Sequence, residues 1–143
     1  MTTQRTRIAA LALAVATLAA GSALGAGDSE AVRVVPLLTQ ALPDLPGREV
    51  VMLTVEYLPG GASRPHRHDA HVFVYVLEGA LTMQVAGRPA QTLGPGQVFY
   101  EAPGDVHQTS ANASATAPAR FLVVVLKDKD RPLTRPVAEA QMP

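Results

Sequence analysis

Cysteine is absent from the 143 residues, which removes disulfides, thiolate metal ligands, a cysteine nucleophile and a lipid anchor on cysteine together. Stability must come from the core, and any metal ligand must be nitrogen or oxygen. An excess of charge is missing too: 12 Lys and Arg balance 12 Asp and Glu, mixed along the chain. Such a chain has no electrostatic footprint for nucleic acid or an anionic membrane. No stretch has the spacing of an amphipathic helix, no Gly-rich loop precedes a helix to cradle phosphate, and no serine has surroundings that suggest a Ser/His/Asp set. Histidine is scarce, with four in the whole chain, yet three of them fall between His66 and His71.

The N-terminus reads as a secretory signal peptide over residues 1–26. Arg5 and Arg7 precede an apolar stretch from Ile8 to Ala20, and small residues from Gly21 to Ala26 follow where a peptidase would cut. The apolar core is shorter than the roughly 20 residues that a membrane span needs. Thr6 separates the two arginines, which disfavours the twin-arginine route. The expected product is an exported, periplasmic protein with no membrane anchor after cleavage.

From Gly27 onward the chain has the length of one domain. Its apolar runs are short and bounded by Gly and Pro, the pattern of an all-β sandwich or barrel. Strands are expected over 50–58, 71–77, 81–85, 91–93, 97–101, 106–110 and 120–126, with turns at Pro59-Gly60-Gly61, Gly79, Gly87-Arg88-Pro89, Gly94-Pro95-Gly96 and Pro103-Gly104. The near-continuous apolar run from Phe121 to Leu126 suits a strand buried on both faces or in the middle of a sheet. Residues 31–38 suit an edge strand that lies across the sandwich or pairs with a second subunit, which would make a homodimer. Short strands at this spacing suggest a double-sheet jelly roll over residues 27–130. Residues 110–119 read as a polar loop, and 131–143 as a flexible C-terminal tail.

Alternation in a strand sends His66 and His68 to one face, whereas His71 has the opposite parity unless Asp69-Ala70 resets the count. His107 lies on a later strand that a closed sandwich could bring opposite the first pair. Three imidazoles then form one side of a shell suited to Fe, Mn, Zn, Ni or Cu. An isolated His-x-His is otherwise an ordinary loop-edge feature. Arg64 and Arg67 could meet an anionic substrate, although arginines at a rim are usually solvated. Phe73, Tyr75, Met83, Phe99 and Tyr100 could line a pocket, although in a small barrel such residues are more often core.

The segment from Gly60 to His68, followed by Tyr75-Val76-Leu77-Glu78-Gly79, resembles the first motif of the cupin superfamily, and Gly96 to His107 resembles the second. Together they cover residues 60–112. The resemblance, to small single-domain cupins of the quercetin-dioxygenase-like kind, implies a double-stranded β-helix barrel. It also implies a divalent metal held by His66, His68 and His107. The family's glutamate does not carry over: its position, four residues after His68 and seven before Gly79, holds Val72. Glu101 and His71 are the available substitutes. Glu101 is favoured because a carboxylate offsets a dication's charge better than a neutral imidazole; it is also the candidate catalytic acid or base. The expected function is a metal-dependent, dioxygenase-like enzyme acting on a small organic molecule. A binding module without turnover is the alternative, since fold resemblance cannot choose between them.

Overall fold

The computed structural model describes residues 31–138, so the expected signal peptide lies outside the described residues. Within them the secondary structure is entirely β. The strands, in chain order, are β1 (Val32–Ala41), β2 (Arg48–Tyr57), β3 (Ala62–Ser63), β4 (His66–Arg67), β5 (Ala70–Glu78), β6 (Leu81–Val85), β7 (Gln91–Leu93), β8 (Val98–Glu101), β9 (Val106–Asn112), β10 (Ala119–Asp128) and β11 (Arg135–Pro136). One sheet has the order β1-β2-β10-β5-β8, and the other β11-β4-β9-β6-β7 with β3 also paired to β9. Every pairing is antiparallel.

The period-two patterning decides which side chains meet between the sheets. Val72, Val74 and Val76 of β5 and Phe121, Val123 and Val125 of β10 point inward. They face Leu81, Met83 and Val85 of β6 and Leu93 of β7. The apolar run of β10 is the central strand of its sheet, flanked by β2 and β5. It is not buried on both faces: Leu122, Val124 and Leu126 point away from the core and are partly exposed. Strand β1 forms the edge expected of residues 31–38 and extends to Ala41, because the turn after it is closed by Leu45 N–H to Leu42 C=O and Arg48 N–H to Leu45 C=O.

Gly79, between β5 and β6, has φ +74°, and a Cβ there would clash with the Pro118 carbonyl and lie 2.7 Å from Ala119 Cα. Only glycine fits both constraints. The polar loop is shorter than 110–119, since β9 runs to Asn112. The Asn112 side chain donates to the carbonyls of Leu58 (3.1 Å) and Ala117 (2.7 Å) and accepts from Ser114 N–H.

The C-terminal segment departs from the expectation of a flexible tail starting at Arg131. Arg135 and Pro136 pair with Arg67 and His66, Val137 is buried, and Leu133 packs against the core. Composition marked this stretch as tail-like because its charges and prolines dominate. The burial of Leu133 and Val137, together with the β11–β4 pairing, docks it.

Candidate functional site

His66 and His107 are direct partners in the β4–β9 ladder, so their side chains share a face. Their ring centroids are 5.1 Å apart, and His68, one residue past the end of β4, brings its ring to 4.9 Å from that of His66. Glu101 ends β8 on the opposite sheet, directly across from Val72 of β5. The turn between β8 and β9 fixes these groups relative to one another. Ala102 N–H donates to the Asp105 carboxylate, Asp105 N–H to Ala102 C=O, and Gly104 N–H to His68 C=O at 2.8 Å.

The hydrogen bonds orient the imidazoles. His66 Nδ1–H donates to Arg64 C=O at 2.8 Å and His68 Nδ1–H to Leu133 C=O at 2.6 Å, since a carbonyl can only accept. His107 Nδ1 lies 3.1 Å from Glu101 Oε1, and Glu101 Oε2 lies 3.9 Å from His68 Nε2. With each Nδ1 turned to an oxygen acceptor, all three Nε2 atoms are left for another partner. Outer carbonyl and carboxylate groups hold metal-binding histidines in this way.

Glu101 is 2% exposed, and a buried carboxylate must be compensated. Burial alone would raise its pKa. The hydrogen bond from His107, with the electrostatic pull of the three neighbouring imidazoles, outweighs burial, so the pKa is lowered and the group is ionised. Burial lowers the pKa of His66, partly opposed by its bond to Arg64, and favours the neutral ring that a cation requires. Among the described residues, the only buried side-chain polar atoms without a hydrogen-bond partner are Glu101 Oε2 and His107 Nε2. Two such atoms in one pocket are unusual, because buried polar groups are nearly always paired.

Among the described residues no group of three or more His, Asp or Glu side chains stands in metal-holding geometry as it is. Glu101 instead satisfies His107. The donor set itself, three imidazoles and one carboxylate, suits a borderline divalent cation, and the two orphaned atoms fit such a group.

These side chains line one end of a cavity of about 360 Å³ between the sheets. Val74, Met83, Phe121 and Val123 make much of it apolar, and Leu133, Thr134 and Pro136 of the C-terminal segment line it as well. Three hydroxyls add a polar spot: Tyr57 Oη lies 2.6 Å from Ser63 Oγ and 2.8 Å from Ser110 Oγ. Burial raises the Tyr57 pKa, with the two serine hydrogen bonds opposing it, so the phenol stays protonated.

His71 is not brought to this cluster. It follows strand parity to the outer face of β5, where its Nδ1 lies 2.8 Å from Tyr100 Oη. Phe73, Tyr75 and Tyr100 are also exposed on that face, so of the five residues considered as pocket lining only Met83 lines the cavity. Phe99 is buried and stacks on His107, centroids 5.8 Å apart. Arg64 lines the cavity, and Arg67 does not. Sequence reasoning missed the Leu133 carbonyl and the Tyr57 hydroxyl. Tyr57 has the inward parity of Leu53 and Val55 on β2, a signal present in the strand repeat; a backbone carbonyl leaves none.

The family model described as "Cupin domain" matches residues 53–125, just over half of the chain. The structure is similar to TT1209 of Thermus thermophilus, with 27% identity, 68% of this chain and 85% of that one covered, and a TM-score of 0.55. It is similar to the polyketide cyclase RemF of Streptomyces resistomycificus, with 28% identity, 80% and 76% covered, and a TM-score of 0.58. The DMSP lyase DddQ of Ruegeria pomeroyi shares the fold at 23% identity and a TM-score of 0.63, over 78% of this chain and 55% of the lyase. No curated protein matches the chain. With both histidine motifs inside the matched residues and a two-sheet barrel around them, the chain belongs to the cupin family.

Proposed function

We propose that the chain is an exported, metal-dependent enzyme acting on a small, largely apolar organic molecule that carries an oxygen function. His66, His68 and His107 would hold a divalent transition metal, with Glu101 beside them. The observation that carries this reading is the pair of unpartnered buried atoms, His107 Nε2 and Glu101 Oε2, at the end of an apolar cavity. A bound cation would supply Lewis acidity or a redox centre of dioxygenase type.

The chain's own residues supply the rest. Val74, Met83 and Phe121 exclude water from the substrate's apolar part, and the Leu133 carbonyl fixes the His68 ring. Glu101, ionised and buried, can accept a proton from a substrate hydroxyl or enol through Oε2. A cavity of about 360 Å³ sits at the small end of ligand pockets, which limits the substrate to something near a single ring system. The likeness to a polyketide cyclase supports phenolic and diketone compounds as first probes.

The test is oxygen uptake and product analysis with metal-loaded protein against phenols and 1,3-diketones. Turnover abolished by Glu101→Gln is expected. Tight binding of these compounds with no product would mark a binding module instead. Export is tested separately, by the N-terminal sequence of the mature protein, with cleavage expected near Gly25 or Ala26.

A further inference from the structure

The cavity has a second polar end. Ser63 and Ser110 are partners in the β3–β9 ladder, three residues along from the His66–His107 pair on both sides. In regular strands a step of three would turn the two serines to the face opposite the histidines. Two irregularities prevent it. The chain leaves the ladder at Arg64-Pro65, between β3 and β4, and Gln108 is an extra residue in β9, since Thr109 pairs with Gln84 while His107 pairs with Val85. Bulges of this kind re-aim side chains. Both pairs therefore line the same cavity, separated along the backbone by about 10 Å at about 3.3 Å per residue.

Tyr57 Oη joins the two serines, at 2.6 Å from Ser63 Oγ and 2.8 Å from Ser110 Oγ. When each hydroxyl passes its proton to the next, the two bonds use two of the three protons and leave one at an end of the chain. With the protons running from Ser63 through Tyr57, the spare one belongs to Ser110 and meets the Met83 sulfur at 3.5 Å, a weak acceptor. With the direction reversed it belongs to Ser63, which is half-buried where Tyr57 and Ser110 are buried. A thioether holds the proton weakly, so an oxygen acceptor in the cavity reverses the chain.

We propose that Tyr57, Ser63 and Ser110 anchor an uncharged carbonyl oxygen of the substrate, at the opposite end from the oxygen that meets the histidines. The inference rests on the cavity being a substrate site, as proposed above, and deepens it: the substrate carries two oxygen functions on either side of a ring. Ser63 donates to the carbonyl, while Tyr57 and Ser110 are positioning residues that set the direction of the proton chain. The donors are neutral hydroxyls, and a buried charge would need a charged partner, so a ketone suits this end better than a carboxylate. Val74, Phe121 and Val123, which also line the cavity, suit the ring.

The test is calorimetric titration of metal-loaded protein with para-hydroxyacetophenone and with para-ethylphenol, which matches it in size and lacks the carbonyl. The wild type is expected to bind the ketone about 3-fold to 10-fold more tightly, the worth of one neutral hydrogen bond. Ser63→Ala and Tyr57→Phe are expected to bring that ratio to about one. Infrared spectra of the bound ketone, isotopically labelled at its carbonyl carbon, are expected to show a C=O stretch lowered by hydrogen bonding. In Ser63→Ala the stretch returns toward its value in apolar solvent, a change that a merely structural role for the hydroxyls would not produce. Should Tyr57→Phe fail to fold, Ser63→Ala decides alone. A wild type that binds the two compounds equally, or prefers para-ethylphenol, overturns the second anchor and leaves the substrate reading standing. A preference or a lowered stretch that persists in Ser63→Ala overturns it too, because the carbonyl is then held elsewhere. If neither compound binds, the substrate reading itself fails and the inference with it.

Discussion

Glu101 and Val72 face each other across the β5–β8 ladder, both inward and both nearly inaccessible, at 2% and 1% exposed. The carboxylate therefore enters the cavity one strand away from the position at which the first cupin motif would place it. A side chain from either position is directed at the same end of the cavity, so one can be exchanged for the other. Glu101→Gln is expected to weaken divalent-cation binding about 10-fold to 100-fold. Adding Val72→Glu in that background is expected to restore most of the loss, measured by calorimetric titration.

The C-terminal segment positions His68 through one carbonyl, Leu133 C=O, 2.6 Å from Nδ1. Ending the chain before Arg131 is expected to lower cation affinity by a factor of about 10 to 100. Asp69→Asn removes the partner of Arg135 (3.1 Å) and Arg131 (3.8 Å). Both arginines are exposed and Asp69 is only half-buried, so this change is expected to cost less than about 1 kcal/mol in urea denaturation.

Tyr57 links pH to stability. Its pKa is raised in the folded protein, so the folded state holds the phenolic proton more tightly than the unfolded chain does. Its contribution is complete below the ordinary tyrosine value of about 10 and is lost as pH rises through the raised one. Tyrosinate absorbance is expected to show a late component that Tyr57→Phe removes. That variant also loses hydrogen bonds to Ser63 and Ser110, at about 1 kcal/mol each, near neutral pH.

Gly79→Ala combines a left-handed backbone with a clash against Pro118 and Ala119. A loss of about 2 kcal/mol or more is expected in chemical denaturation, with no change in strand order.

Much of this architecture is legible in the sequence because turn glycines and prolines cut the apolar runs where the strands end. The parity of His66 against His68, and of both against His71, is likewise a property of the strand repeat, and the structure follows it. Two things are not legible. Which strand lies beside β5 is a matter of topology, so the proximity of Glu101 to Val72 could be weighed only as charge compensation. Pairing of Arg135 and Pro136 with β4 depends on a tail whose local composition favours disorder, and only the surface it docks on decides otherwise.

Whether His66, His68, His107 and Glu101 bind a divalent transition metal is decided by elemental analysis of protein purified from its native source without chelators, alongside His107→Ala. About one such ion per wild-type chain is expected, with most of it lost in the variant. Wild-type protein that carries no transition metal and takes none up on dialysis overturns the assignment of these four side chains as a metal site.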